Sequence, residues 1–327
     1  MKTPETAPMK ISLGPLQYYW PRSQVFDFYE TLAGTPLDVV YLGETVCSRR
    51  HELRLADWLA LGEMLRAAGK QVVLSTQVLL ESTADVGTMH KLVANGPGFE
   101  VEANDMGAVH CLHQAGQRFV AGPHLNLYHP RAVGWIAQLG ATRWVMPVEM
   151  PQADLARIQA ARPAGLQTEV FAHGRLPLAY SARCFTARHA NRPKDDCGFV
   201  CQSHPDGLPL RTRDGEGFLV LNGIQTQSAR VYQLLHALPQ MAALGVDLVR
   251  LSPQARHMPE VVALFDAARC DATNAALAAR CAQQAEPLLP DAPCNGFWEG
   301  RPGLEQGRVG PARTAQATPS AGKAAAG

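Results

Sequence analysis

Five times in this chain an amphipathic stretch ends at a glycine and a short β-rich run follows. Gly69 precedes residues 71–75 (QVVLS), Gly116 precedes 118–122 (RFVAG) and Gly140 precedes 143–148 (RWVMPV). Gly165 precedes 167–172 (QTEVFA) and Gly245 precedes 246–251 (VDLVRL). A glycine just past a helix supplies the left-handed turn from which the chain can start a strand. Runs of the same kind, without so clear a cap, occupy residues 10–13, 38–42, 99–103 and 218–222. The segments between read as helices. Leu55, Trp58, Leu59 and Leu65 mark one buried face, and residues 153–161 and 230–244 read similarly. Strands alternating with helices predict a parallel sheet. Nine candidate strands at intervals of roughly 20–30 residues favour a (β/α)8 TIM-barrel-like α/β fold over an open Rossmann sheet. An irregular or incomplete barrel stays open, and one candidate strand is surplus.

Two regions depart from this pattern. Residues 175–217 are rich in Arg, Pro, Asp and Cys and carry no period, which predicts a long, cysteine-bearing loop after a late strand. Residues 303–327 are small, polar and rich in Gly, Ala and Pro, and are expected to be a disordered tail. Residues 1–8 are expected to be flexible, leaving 9–302 as one barrel domain. No run of about 18 apolar residues occurs, which argues against an integral membrane segment. The polar start lacks a secretory signal, so the expected compartment is the cytoplasm. The net charge of +1, with only 18% charged residues, argues against a broad basic face for nucleic acid.

The long loop holds Cys184, Cys197 and Cys201, a C-x12-C-x3-C spacing. Cys47 follows the second strand. Residues just after the strands of a barrel gather at its C-terminal face, so these four thiols are expected at one rim. Four thiolates suit tetrahedral zinc or an iron–sulfur cluster, and the spacing alone leaves both open. Arg49, Arg50, Arg183 and Arg188 are expected to favour thiolates. Cys111, Cys270 and Cys281 read as idle thiols in helices. Cys294 falls outside any period and is expected not to be a ligand. Polar residues at strand ends are Glu44, Glu102, Asn104, Asp105, Asn126, Glu149, His173, Asn222 and Gln225. Of these, Glu44, Asn104, Asn222 and Gln225 are the candidates for handling a substrate. Asn104 or Asp105 equally suits a helix N-cap. Nucleotide-binding glycine motifs, H-E-x-x-H and G-x-S-x-G are all missing.

Several segments together resemble the collagenase-like peptidase (U32-type) superfamily, in its ubiquinone-biosynthesis branch. They are residues 11–16 (ISLGPL), 41–48 (YLGETVCS), 102–109 (EANDMGAV), 176–186 (LPLAYSARCFT), 192–197 (RPKDDC), 221–227 (LNGIQTQ), 250–254 (RLSPQ) and 294–298 (CNGFW). The likeness covers about residues 9–300. It implies a [4Fe–4S] cluster held by Cys47, Cys184, Cys197 and Cys201, and a heterodimer with a UbiU-like homologue. It also implies oxygen-independent hydroxylation of a prenylated quinone precursor, with prephenate as the suspected oxygen donor. The alternatives are an RNA-hydroxylation factor of the same superfamily, a U32-type peptidase, or a non-catalytic partner whose cluster only steadies a heterodimer. The sequence offers no nucleophile–base pair for a peptidase. The RNA-directed branch usually carries further nucleic-acid-binding domains.

Overall fold

The computed structural model describes residues 8–94 and 98–307. The expected flexible start, but for Pro8, and residues 308–327 of the expected tail lie outside the described residues. Eight parallel strands close on themselves: β1 (Lys10–Leu13), β2 (Val39–Leu42), β3 (Gln71–Ser75), β4 (Glu100–Ala103), β5 (Phe119–Ala121), β6 (Ala141–Val145), the first half of β7 (Gln167–Tyr180), and β11 (Leu248–Leu251). β11 completes the ring by pairing with β1 (Ile11 opposite Val249) and with β7 (Val170 opposite Val249). The TIM-barrel-like expectation is met. The five punctuating glycines, Gly69, Gly116, Gly140, Gly165 and Gly245, all adopt positive φ.

Outside the ring run α1 (Arg22–Ala33), α2 (Leu55–Ala67), α3 (Thr83–Ala94), α4 (Met106–Gln114), α5 (Pro130–Gln138) and α6 (Gln152–Ala160), each after the like-numbered strand. The surplus candidate is 218–222. It belongs to β9 (Gly217–Asn222), which stands with β8 (Leu208–Arg211) and β10 (Gln225–Gln233) in an antiparallel extension of β7. The aperiodic region is therefore partly regular, since its first residues prolong β7. Between β7 and β8 it forms the short helix α7 (Phe185–His189). The helix expected over 230–244 is also corrected. β10 continues to Gln233 because Val231 and Tyr232 are buried against β7, and α8 (Leu238–Ala243) starts only at a proline-marked N-terminus. The chain ends with α9 (Met258–Arg269), α10 (Ala275–Ala285) and β12 (Pro293–Cys294). The first residues of the expected tail are held in place. Gly307 N donates to Asn295 Oδ1 at 2.6 Å, and Asn295 N donates to Glu305 O at 3.0 Å.

The stave sequences sort cleanly by parity. Ile11, Leu13, Val40, Leu42, Val72, Leu74, Val249 and Leu251 face outward to the helices in the main apolar core. Val39, Tyr41, Val73, Val120, Val145 and Leu248 form a separate apolar layer. Two residues along, on the same parity, stand charges. Arg250 Nε donates to Glu169 Oε1 at 2.6 Å, and its Nη1 donates to Glu102 Oε1 at 2.8 Å. Glu169 also accepts from Ser12 Oγ at 2.7 Å and from Tyr41 OH at 2.5 Å. Arg143 Nη1 donates to Tyr41 OH at 2.7 Å, and Ser75 Oγ to Glu102 Oε2 at 2.7 Å.

Burial alone would raise the Glu169 carboxyl, but Arg250 and Arg143 outweigh it and hold the group below the ordinary carboxylate range. Glu169→Ala should lower the unfolding free energy by about 3–5 kcal/mol, because it strands the buried Arg250 charge; urea denaturation at pH 7 checks this. A depressed folded-state value stabilises above the unfolded value of about 4.3, and that share is lost as pH falls through the lower folded value. The deficit of Glu169→Gln relative to wild type should therefore narrow in acid.

Candidate functional site

The β2–α2 connection leaves the barrel at Gly43, whose φ of 131° and approach to Ser75 O (2.6 Å from where a Cβ would stand) admit no side chain. Glu44 follows and organises the turn. Its Oε1 accepts from Val46 N at 2.9 Å and Cys47 N at 3.0 Å. Arg50 N then donates to Cys47 O at 3.0 Å. The Arg50 side chain is buried and reaches across the barrel mouth. Nη1 donates to Gln17 O at 2.7 Å, Nη2 donates to Asn222 Oδ1 at 2.8 Å, and Glu44 Oε1 lies 3.6 Å from Nη1. Asn222 Nδ2 donates to Gln17 O and to Gln225 Oε1, both at 2.8 Å, and Gln225 Nε2 donates to Tyr180 OH at 2.6 Å. Glu44, Asn222 and Gln225 are thus brought together, with Arg50 and Gln17 at their centre.

Asn104 stands in a different network. Its Nδ2 donates to Thr76 O at 3.0 Å and to Glu102 Oε2 at 3.3 Å, inside the barrel top. The N-cap of α4 is Asp105, which accepts from Gly107 N. His173, buried and hydrogen-bonded to Gln254, is lowered to about 4 by burial and stays neutral. His124 is lowered to about 3 by burial and by Arg250. Glu149 accepts from Tyr128 OH at 2.8 Å, away from Arg50.

The cysteine loop docks on the β2–α2 connection and on the β9–β10 turn. Arg49 Nη1 donates to Asp195 Oδ1 at 3.0 Å, Phe185 N donates to Gly223 O at 2.8 Å, and Gln202 Nε2 donates to Glu52 Oε1 at 3.1 Å. Cys184 caps α7, its Sγ accepting from Ala187 N at 3.4 Å. Cys47 packs with Val46 and Ile224, and Cys184 and Tyr180 lie against them. Cys47 feels the charge of Cys184, and Cys201 that of Cys184 and Cys197. Arg50 lies within electrostatic reach of Cys47 and Cys201. Among the described residues, no three His, Cys, Asp or Glu side chains already stand as a metal site. The donor types nevertheless suit a thiolate-bound group: Cys47, Cys184, Cys197 and Cys201 are free thiols on two connections that dock on each other, and the buried Nε atoms of Arg49 and Arg50 have no partner.

At Cys47 and Cys201 Arg50 does favour the thiolate, as expected of the arginines, but it does not decide the outcome. Burial wins instead, pushing Cys47 up to about 11 and Cys201 upward despite Arg50. Cys111 and Cys281 lie in α4 and α10, and Cys270 is exposed at the end of α9. Cys294 is fully buried in β12, and burial raises it to about 12. Sequence reading passed over Arg250, Arg143 and Gln17. The first two left a signal: a charged residue at an alternate position of an apolar strand has to find a partner inside.

Residues 27–306 match Peptidase family U32. The chain belongs to this family. A curated relative, tRNA hydroxylation protein P1 of Bacillus subtilis (strain 168), is 23% identical over 196 residues, which cover 57% of this chain and 46% of the relative. The chain thus spans about half the length of that protein. Two solved structures are also similar. The U32 peptidase Mk0906 has a TM-score of 0.43 at 11% identity, over 78% of this chain and 96% of that one. The dihydropteroate synthase of Thermus thermophilus has a TM-score of 0.39 at 12% identity, over 79% and 94%. Among the described residues of this U32 chain, no helix is long and apolar enough to cross a membrane.

The thiols should differ sharply toward a maleimide at pH 8. Exposed Cys270 should be alkylated first, and Cys47 and Cys294 last, because both are buried and protonated there. Timed labelling with peptide mass spectrometry checks the order.

Proposed function

We propose that this chain is an iron–sulfur subunit, of the UbiV type, in an oxygen-independent hydroxylation system of ubiquinone biosynthesis. The observation that carries the reading is the docking of the residue 184–201 loop on the β2–α2 connection, with Cys184 packed against Cys47. Membership of the U32 family and likeness to a protein named for tRNA hydroxylation support it. Cys47, Cys184, Cys197 and Cys201 would hold a [4Fe–4S] cluster. Bound there, such a group supplies one-electron transfer. Arg49 and Arg50 would offset its negative charge with their unpartnered Nε–H donors. Glu44 fixes the Cys47 turn through two backbone bonds, and Asn222, Gln225 and Gln17 hold Arg50 in place. A UbiU-like homologue would complete a heterodimer, a prenylated quinone precursor would be hydroxylated, and prephenate would supply the oxygen. The compartment in this reading is the cytoplasm.

A second reading, tRNA hydroxylation, is favoured by the name of the curated relative. The net charge of +1 weighs against it. Deleting the gene separates the two. Loss of ubiquinone only in cells grown without oxygen supports the first. Intact ubiquinone with loss of a hydroxylated tRNA nucleoside supports the second.

Protein purified without oxygen should be brown and carry about four irons and four sulfides per chain. Cys47→Ala, Cys184→Ala, Cys197→Ala and Cys201→Ala should each lose the sulfur-to-iron charge-transfer absorption. Cys111→Ala, Cys270→Ala, Cys281→Ala and Cys294→Ala should keep it. Stoichiometric zinc in place of iron, or colourless protein after reconstitution with iron and sulfide, refutes the reading.

A further inference from the structure

The antiparallel extension has one face turned to the barrel. Asn222 stands opposite Gln225 and Val220 opposite Gln227, all four are buried, and the first pair holds Arg50 at the mouth. The other face is leucine. Leu208 stands opposite Leu221 and Leu210 opposite Leu219, so the four side chains form two cross-strand pairs on one surface. None of the four is fully buried, Leu210 is 36% exposed, and none belongs to the apolar clusters of the described residues. Phe218, skipped where the pairing passes from Leu219 to Gly217, is 51% exposed. An antiparallel sheet with one buried face ordinarily turns polar residues outward. A hairpin that turns leucines outward has surface left to cover.

β8 is the last strand of the sheet, but Pro209 within it lacks a donor, which disfavours continued pairing at the edge. The face is what remains to offer. Its leucines carry no charge to select a foreign partner. The end of the hairpin carries Arg211, Arg213, Asp214 and Glu216, all exposed and two of each sign. Paired leucines beside balanced charges make a self-complementary surface: under a two-fold axis each leucine pair of one copy meets a pair of the other, and the charged ends add no net repulsion. The net charge of +1 keeps whole chains from repelling one another. We propose that the outer face of the β8–β9 hairpin is a homodimer interface, covered by the same face of a second copy of this chain. This goes beyond the proposed function, which names a different chain as partner, and it requires no cluster.

The test is sedimentation equilibrium of the full chain, purified without oxygen, from about 1 to about 100 µM. A reversible monomer–dimer equilibrium should appear with a dissociation constant on the order of micromolar, because two hairpin faces bury less than a standard interface. Leu210→Glu should weaken the dimer at least about a hundredfold, since two-fold symmetry buries the new charge twice, and should leave the thermal melt unchanged because the position is exposed in the monomer. Leu210→Met should keep the dimer. Trp135→Glu, which removes an equally exposed apolar side chain from α5, should keep it too. A monomer at every concentration, a dimer that survives Leu210→Glu, or equal loss in Trp135→Glu overturns the proposal. A chain that stays monomeric alone but pairs with a UbiU-like homologue through Leu210 also overturns it, and gives the face to that partner. Iron is measured in the same samples. Iron-free dimer refutes only the cluster, and iron-loaded monomer refutes only the self-pairing.

Discussion

Arg250 spans the barrel. It rises from β11, grips Glu169 on adjacent β7, and reaches Glu102 on β4, four staves away around the ring. Through those two carboxylates it is joined to Ser12 on β1, Tyr41 on β2 and Ser75 on β3, and through Tyr41 to Arg143 on β6. Every stave except β5 contributes a side chain. Two arginines and two glutamates balance in charge, so the interior tolerates them. A one-residue slip of any of these strands would turn its polar side chain out to the helices and leave a partner unpaired. The network therefore fixes register all the way around. The loops that grow from the staves inherit their positions from it.

At the top, a second arginine repeats the pattern on a smaller scale. Arg50 ties the β2–α2 turn to residue 17 and to the β9–β10 hairpin. The thiols come from both sides of that joint, Cys47 from one and the residue 184–201 loop from the other. The site is thus assembled by a polar clamp rather than by the cysteines themselves. The clamp explains why Asn222 and Gln225 are buried and Glu44 half-buried: in this structure they hold Arg50.

How much could be read in advance follows from local physics. The glycine-capped alternation sets the period of the barrel, and β1 and β3 fall on their expected residues because their runs are bounded by polar or turn-forming neighbours. The misreadings lie where pairing at long range decides. Residues 218–222 look like a stave but pair backwards, because β7 overruns the barrel and offers β10 an edge. Residues 230–233 carry a helical period but become strand for the same reason. The thiol set was visible as composition in an aperiodic region. The raised thiols were not, since burial of Cys47 comes from Val46 and Ile224, 178 positions apart in sequence. Gln17 gave no sign, because its role comes from where residues 14–20 cross the mouth.

The length of β7 has a consequence for how such a chain can change. Its 14 residues serve first as a barrel stave and then as the stem of the cysteine-bearing extension, a contour on the order of 45 Å. Core and rim share one continuous rod. An insertion at the exposed tip between β8 and β9 would lengthen the extension and disturb nothing else. An insertion anywhere in β7 would shift Glu169 against Arg250 at one end or Tyr180 against Gln225 at the other. Changes of length are thereby accommodated at the hairpin tip and not in the stem.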